Sequence, residues 1–318
     1  MDDSHPSLNP KDGWGAYNFL QIIGAGLSWQ DMRTGVALIL NRLEAFGHIA
    51  AQASRGELIF PTSVNAALKL QLALANPDCR LDQAIMLVLA EPLLAARIVA
   101  LANSIGFNPA GGATVTTVRA AVMRVGFQTL HTLAAAMVVR QFGSRIIDRT
   151  LRANAEQLWQ HTAHVAALAH VIARRVTDVN PETALFAAIV HEVGGFYLLS
   201  RADEFPGLLD DDPDNWIEAG EELITRVVLK RLAIPAAVSN AIEALRDGLL
   251  TIPPCTLLDT LLLANQFSPV ASPLDRHAGA PLEQSESALD LFIDNDLLTS
   301  ILEESADEVR SMSAALLL

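Results

Sequence analysis

The spacing of apolar residues is the feature that most constrains the fold of this 318-residue chain. Apolar residues recur at steps of three and four along almost its whole length, and no convincing run alternates apolar with polar residues. Such spacing gathers side chains on one face of a helix, whereas a half-buried strand needs a period of two. A composition of 51% hydrophobic and 18% charged residues supplies a sizeable core and excludes extensive disorder. The sequence therefore predicts an all-α, multi-helix bundle.

Capping residues, prolines and glycines indicate where the helices begin and end. Pro92 suits the first turn of a helix, because its missing N–H would have no partner there. Thr117 is expected to cap a short helix that ends at Gly126. The other predicted helices run from Ser28 to Gly56, Phe60 to Asn76, Asp82 to Ala90, Gln128 to Gln141, Asn154 to Arg175, Asn180 to Leu199, Trp216 to Leu232, Pro235 to Arg246, Leu257 to Phe267 and Leu289 to Val309.

Changes in composition predict four regions. Residues 1–57 form an N-terminal helical extension, 58–267 the main helical domain, 268–288 a Pro/Ser-rich linker, and 289–318 a C-terminal amphipathic helix. The linker would let this last helix dock either on its own domain or on another chain.

Charge and cysteine usage exclude several classes of protein. Residues 1–200 carry a net charge of +1 and residues 201–318 a net charge of −15, so we expect neither direct nucleic-acid binding nor membrane-surface binding. Two cysteines cannot form a disulfide framework. The sequence begins without the pattern of a signal peptide, and we expect no apolar run to reach the roughly 18 residues that a bilayer span needs, so we expect a cytoplasmic protein.

Histidines are concentrated in two neighbouring predicted helices. His161, His164 and His170 lie on one, and His191, followed by Glu192, lies on the other. Imidazoles and a carboxylate from facing helices are how metal sites are built inside bundles. Buried histidines that hydrogen-bond to backbone carbonyls produce the same pattern, so both interpretations stay open.

An ordered series of motifs resembles the HDOD domain, an output module of bacterial signalling that is related to the HD metal phosphohydrolases and the HD-GYP cyclic-di-GMP phosphodiesterases. Together these motifs extend from about residue 58 to 267. They are Phe60–Val64, Asn76–Asp78, Glu91–Val99, Leu101–Ser104, Val115–Val122 with Gly126, Leu158–Ala166 and Ala187–Gly194.

The resemblance implies which positions correspond to the metal ligands of the catalytic relatives. His161 and His191 keep the ligand histidines, whereas Glu192 replaces the Asp of the His-Asp pair and, being longer, is expected to miss the same metal position. The remaining ligand positions carry Glu221, Leu245, Arg246 and Asn265.

These replacements predict a vestigial metal site without catalytic residues. Leu245 cannot ligate a metal, and the cationic Arg246 would repel one. Asn265 is a poorer ligand than a carboxylate. The alternative is a mononuclear site in which His161, His191 and Glu192 hold one divalent ion such as Fe, Mn or Zn.

Three hypotheses for function follow. The favoured one is a non-catalytic bacterial signal-transduction module, a pseudoenzyme that binds a signalling protein of unknown identity. The first alternative is a metal-dependent phosphohydrolase or phosphodiesterase of the HD superfamily. The second is a sensor that binds a nucleotide or cyclic dinucleotide without cleaving it, through Arg119, Arg124 or Arg246. The sequence leaves the oligomeric state open.

Overall fold

The computed structural model describes residues 44–52, 55, 57, 65–74, 76, 78–202, 204–205, 208–209, 216–246, 248–274 and 295–317. The chain divides into two compact units, residues 1–48 and 49–318. Of the first unit, only residues 44–48 are described, and they are helical; the predicted start of that helix at Ser28 lies outside the described residues. The second unit contains all the elements discussed below.

Every regular element of the described residues is a helix, which confirms the predicted fold class. The α-helices are α1 Asn65–Leu74, α2 Leu81–Leu89, α3 Pro92–Ala102, α4 Val118–Phe142, α5 Arg149–Ile172, α6 Pro181–Val190, α7 Val193–Ala202, α8 Trp216–Arg231, α9 Ala236–Glu243, α10 Leu257–Gln266, α11 Asn295–Glu304 and α12 Ala306–Leu317. A 3₁₀ turn, Gly143–Arg145, follows α4, and a π-helical turn, Ala173–Thr177, follows α5.

Several predicted helix ends are confirmed by the contacts that cause them. Pro92 occupies the first turn of α3. The Thr117 side chain accepts a hydrogen bond from the backbone N–H of Ala120 and so caps α4. Gly126 interrupts α4 with φ 85° and ψ 170°, a backbone conformation that glycine adopts without strain. This interruption is the predicted boundary between two successive helices.

Three predicted helices differ from the observed ones. The long helix starts at Arg149 rather than near Asn154, because the Asp148 carboxylate accepts hydrogen bonds from Thr150 N–H and Leu151 N–H. The single helix expected to end at Leu199 is broken between α6 and α7 by a turn at residues 191–192. The C-terminal amphipathic helix is also two helices, α11 and α12, which meet at Ser305.

Helices α4, α5 and α6 form the centre of the bundle. Helix α6 packs against both α4 and α5, and α3, α10 and α12 pack around these three helices. The largest fully buried side chains include Trp159 of α5 and Tyr197 of α7. Nearly every side chain from Ala184 to Leu199 is buried, which explains why this segment lacks a polar face in its sequence.

Helix α12 docks on its own domain. Met312 and Leu316 are buried, and Met312 covers Gly106, where an added Cβ would lie 2.3 Å from the Met312 sulfur. Arg174 forms a 2.7 Å ion pair with Glu308, and Arg175 donates to the Ser305 hydroxyl at 2.8 Å. Of the two docking modes that the sequence left open, these contacts correspond to docking within the chain.

A capping box holds the start of α10. Thr256 accepts a hydrogen bond from Asp259 N–H, and the Asp259 carboxylate accepts from Thr256 N–H in return. The fully buried carboxylate also accepts from the backbone N–H groups of Thr251 and Cys255 and from the Thr251 and Thr256 hydroxyls. These bonds fix the position of the helix that carries Asn265.

By length and hydropathy alone, two helical segments could cross a membrane, Val118–Phe142 and Pro181–Ala202; a bent pair, α2 with α3, passes the same test when taken together. The expectation that no segment is apolar enough was therefore wrong. Within the domain, 67% and 83% of the most apolar stretches of the two segments are buried. Their hydropathy matches their central place in the core of the bundle.

Candidate functional site

The site lies where three elements of the bundle meet. His161 projects from the middle of α5, His191 and Glu192 form the turn between α6 and α7, and Asn265 lies near the end of α10. Both histidines are buried, and Glu192 is 15% exposed.

The side chains of His161, His191 and Glu192 converge on one point. Oε1 of Glu192 lies 3.9 Å from Nε2 of His161 and 3.8 Å from Nε2 of His191, and the two imidazole centroids are 5.6 Å apart. The ligand atoms of all three residues lie within 4.8 Å of one another. The extra methylene of Glu192 therefore does not carry its carboxylate away from the histidines, because the break between α6 and α7 places residue 192 in a turn.

Backbone carbonyls fix the orientation of both imidazoles. Nδ1 of His161 lies 2.7 Å from the Val270 carbonyl oxygen, and Nδ1 of His191 lies 2.6 Å from that of Ala188. Because a carbonyl oxygen only accepts, Nδ1 carries the proton and donates in each ring. The Nε2 lone pairs then face Glu192, an arrangement typical of histidine metal ligands.

Nε2 of His191 is buried and makes no hydrogen bond of standard geometry to a described residue, although the nearby Asn265 side chain also raises its pKa. Burial is the largest influence on the pKa of His191 and lowers it, whereas the nearby Glu192 charge raises it. The net shift is downward, so this ring is neutral at pH 7 and offers an unshared electron pair to the site.

Asn265 completes the surroundings of His161. Its Oδ1 lies 3.1 Å from Nε2 of His161. With the His161 proton on Nδ1, this is a contact between two acceptors. A cation beside both atoms satisfies them, and so does a half-turn of the amide that presents its NH₂ group to the ring.

The donor set fits a single divalent metal ion. Two imidazoles and a carboxylate are ligands that zinc, iron and manganese accept, and the unpartnered Nε2 of His191 is the observation that favours a ligand there. His161, His191 and Glu192 would hold the ion. When bound, such an ion acts as a Lewis acid and lowers the pKa of coordinated water.

Leu245 and Arg246 do not join this cluster, and the side chain of Glu221 lies outside the described residues. Glu221 lies on α8, and Leu245 is half-buried in the turn after α9. Arg246 is 45% exposed, and its Nη1 lies 3.8 Å from Glu222. The metal-ligand group found among the described residues contains only His161, His191 and Glu192.

Two of the clustered histidines have separate surroundings. Nδ1 of His164 lies 2.8 Å from the Gln160 carbonyl oxygen, one turn earlier on α5. His170 is buried, with Nδ1 3.9 Å from Glu308 of α12 and its ring 5.6 Å from that of Phe107. Burial lowers the pKa of His170 to about 4, so the ring is neutral at pH 7.

Sequence reasoning missed the carbonyl groups of Val270 and Ala188. Every residue has a carbonyl group, so no side-chain pattern marks these two. Val270 falls in the segment interpreted as a linker, yet residues 268–274 run beside α5, where Ala271 also accepts a hydrogen bond from Gln157.

Two family models match the chain. The HDOD domain model matches residues 60–215, and the HD domain model matches residues 158–280. The second match spans His161, His191, Glu192 and Asn265. A search of curated proteins finds no match.

Solved structures share this fold. A "putative metal-dependent phosphohydrolase" from Shewanella amazonensis is 20% identical with a TM-score of 0.66, covering 87% of this chain and 99% of that one. An HDOD domain protein of unknown function from Geobacter sulfurreducens is 19% identical with a TM-score of 0.54, covering 85% and 98%. A "putative signal transduction protein" from Marinobacter aquaeolei is 18% identical with a TM-score of 0.52, covering 88% and 66%.

These likenesses show the fold, and the family models match the segments that carry the expected motifs. The helical bundle agrees with the similar solved structures, and His161 and His191 both lie within the residues that the two family models match. Residues 60–215 match the HDOD domain and residues 158–280 the HD domain, so the chain carries an HDOD-type segment on the helical fold of these structures.

Proposed function

We propose that this chain is a non-catalytic, cytoplasmic regulatory module of bacterial signal transduction, and that it acts by binding another signalling protein. The family match supports a regulatory HDOD module. The similar Marinobacter protein is named for signal transduction, which agrees with that role.

The observation that carries the proposal is the small number of donors at the site. Only three residues of the described structure converge there as metal ligands. The position corresponding to the last ligand Asp is the neutral Asn265, and Leu245 has no donor atom. The described donors suffice for one ion, but not for the two-ion clamp that many phosphatases and nucleases use to stabilise both the attacking and the leaving oxygen.

A hydrolysis assay tests the non-catalytic part of the proposal. Purified full-length protein is incubated with bis(4-nitrophenyl) phosphate in the presence of Mn²⁺, Fe²⁺ or Zn²⁺, beside His191→Ala. We expect equal background rates. His164→Ala is the matched control, because His164 lies on α5 close to His161 but outside the cluster. Turnover that His191→Ala abolishes and His164→Ala keeps would refute the proposal.

Proximity cross-linking in the native cell tests the binding part. We expect the wild-type chain and His191→Ala to enrich the same signalling protein, because binding through the outer surface does not need the cluster. Enrichment that disappears in the folded His191→Ala variant, or the absence of any signalling protein across several growth conditions, would contradict a scaffold role.

A metal-dependent phosphohydrolase is the second candidate, and the unpartnered Nε2 of His191 favours it. Elemental analysis of protein purified without chelators separates the two. A stoichiometric transition metal that is lost in His191→Ala, together with turnover, supports the enzyme. Metal without turnover supports a module with a structural ion.

The nucleotide-sensor alternative receives no support from the arginines first considered for it. Arg119 forms a 2.7 Å ion pair with Asp82, and Arg124 donates to the carbonyl oxygens of Ala102 and Ala113. Arg246 lies beside Glu222.

A further inference from the structure

A cavity of about 630 Å³ lies between α3, the end of α4, the first half of α5 and α7. Its volume is in the range of small-molecule binding sites. Three arginines line it, Arg97, Arg140 and Arg152, against a single carboxylate, that of Glu156. Trp159 and Phe196 supply aromatic surface, and their rings pack edge to face with centroids 6.3 Å apart.

Arg97 is the most unusual residue of the cavity, because it is only 5% exposed and has no ion pair within the described structure. Its Nε has no hydrogen-bond partner there. An arginine is almost never buried without an acid beside it. Burial and the charge of Arg140 together lower the pKa of Arg97 to about 10, so it stays cationic at pH 7.

The other two arginines are held by neutral groups. Arg140 donates to the Leu317 carbonyl oxygen at 3.2 Å, and its guanidinium lies 5.7 Å from the centroid of the Trp159 ring. Arg152 donates to the carbonyl oxygens of Ile146 and Ile147. These contacts position the guanidinium groups without neutralising them, so positive charge is left over in the cavity.

Buried hydrogen-bond donors without acceptors point in the same direction. Besides Nε of Arg97, the indole N–H of Trp159 has no partner, although Trp159 is only 1% exposed. One acceptor, Oε1 of Gln141, is also unpartnered. Arg152 and Glu156 are exposed, whereas Arg97 and Trp159 are buried. The unmet donors therefore belong to the two buried residues of the lining.

We propose that this cavity binds a phosphorylated small molecule of about mononucleotide size, with its phosphate held by Arg97 and Arg140 and its flat apolar part against Trp159 and Phe196. Guanidinium groups pair with phosphate through two parallel hydrogen bonds, which suits a cavity lined by three arginines and one carboxylate. The cavity is lined by none of the residues of the His161–His191–Glu192 cluster. The inference goes beyond the proposed function, and either one can fail while the other stands.

Titration calorimetry on the full chain tests whether this cavity binds a phosphorylated small molecule. The probes are AMP, adenosine and inorganic phosphate at constant ionic strength. We expect AMP and phosphate to bind, and adenosine to bind about tenfold more weakly than AMP or not at all. Arg97→Met and Arg140→Gln should each weaken AMP binding about tenfold or more. Arg119→Gln, an exposed arginine on α4 outside the cavity, should change it less than about twofold.

A stability measurement keeps the proposal falsifiable if one variant fails to fold. Without ligand, Arg97→Met should unfold at a higher temperature than wild type, because it removes a buried charge that lacks a partner. AMP should then raise the unfolding temperature of wild type but not of Arg97→Met. The proposal is overturned if AMP and phosphate give no heat at millimolar concentration, if adenosine binds as well as AMP, or if Arg119→Gln weakens binding as much as Arg140→Gln does.

Discussion

Replacing Asp259 by Asn should destabilise the protein by about 3 kcal/mol. Oδ2 of Asp259 accepts from Cys255 N–H at 3.0 Å, Thr256 N–H at 2.8 Å and the hydroxyls of Thr251 and Thr256 at 2.6 Å each; Oδ1 accepts from Thr251 N–H at 2.7 Å. Asn keeps one acceptor oxygen and turns an NH₂ group toward the other donors. The hydroxyls can rotate, but at least one buried N–H is left unpaired, and hydrogen bonds to a charged group contribute about 1.5–3 kcal/mol each.

The pKa of Asp259 gives an independent magnitude. These hydrogen bonds outweigh burial and lower its pKa from 3.8 to about 2, which corresponds to about 2 kcal/mol of stability. Because the folded-state pKa is the lower one, this stability is fully present above pH 3.8 and is lost as the pH falls through 2. The difference between wild type and Asp259→Asn should therefore be constant from pH 7 to about pH 5.

Urea unfolding followed by circular dichroism measures this difference on the full chain. Asp307→Asn is the control, because Asp307 pairs with Arg310 on the surface of α12 with its side chain 80% exposed. We expect a change below about 0.5 kcal/mol for that control. A loss smaller than about 1 kcal/mol in Asp259→Asn at pH 7, or a loss that differs between pH 7 and pH 5, would refute the reasoning.

Three further predictions concern stability. Burial lowers the pKa of His131 to about 4, and its Nε2 lies 2.8 Å from Nε2 of Gln71, so wild type should lose stability as the pH falls from 6.5 to 4. In urea titrations over this range, His131→Gln should lose about 2–3 kcal/mol less than wild type, and an equal loss would count against this origin. Gly106→Leu should lower the free energy of unfolding by about 1–3 kcal/mol in thermal unfolding and increase proteolysis of α12, because the larger side chain collides with Met312. Adding Met312→Ala should partly restore the stability of the Gly106→Leu variant. If the two substitutions instead destabilise the protein additively, the contact does not explain the loss. Thr117→Ala should lower the free energy of unfolding by about 1 kcal/mol, because α4 loses its N-terminal cap. An unchanged urea midpoint of unfolding would contradict the capping role.

The sequence predicted the helix ends well wherever residues close in sequence determine them. Pro92, Thr117 and Gly126 mark ends because the missing N–H, the capping hydroxyl and the positive φ act within a few residues. The break at His191 and Glu192 has no such signal. Its flanking segments are both apolar throughout, so the pattern reads as one helix, and only packing within the core separates them.

The candidate site was predictable in its residues but not in its geometry. His161, His191, Glu192 and Asn265 were identified from the motif series, and the structure brings all four together. The sequence could not show that the α6–α7 turn carries Glu192 back toward both imidazoles. Nor could it show the cavity at Arg97, because its lining residues come from four distant elements and share no spacing along the chain.

The docked C-terminal pair has a consequence for how the domain assembles on the ribosome. Ile105 N–H donates to the Ser311 hydroxyl, 206 residues further along the chain, and Gly106 contacts Met312 at the same sequence separation. Helices from the first two hundred residues are synthesised and can pack well before α12 emerges. Until then the loop after α3 and the last turn of α5 stay uncovered, so chaperones have access to this surface until synthesis of α12 is finished.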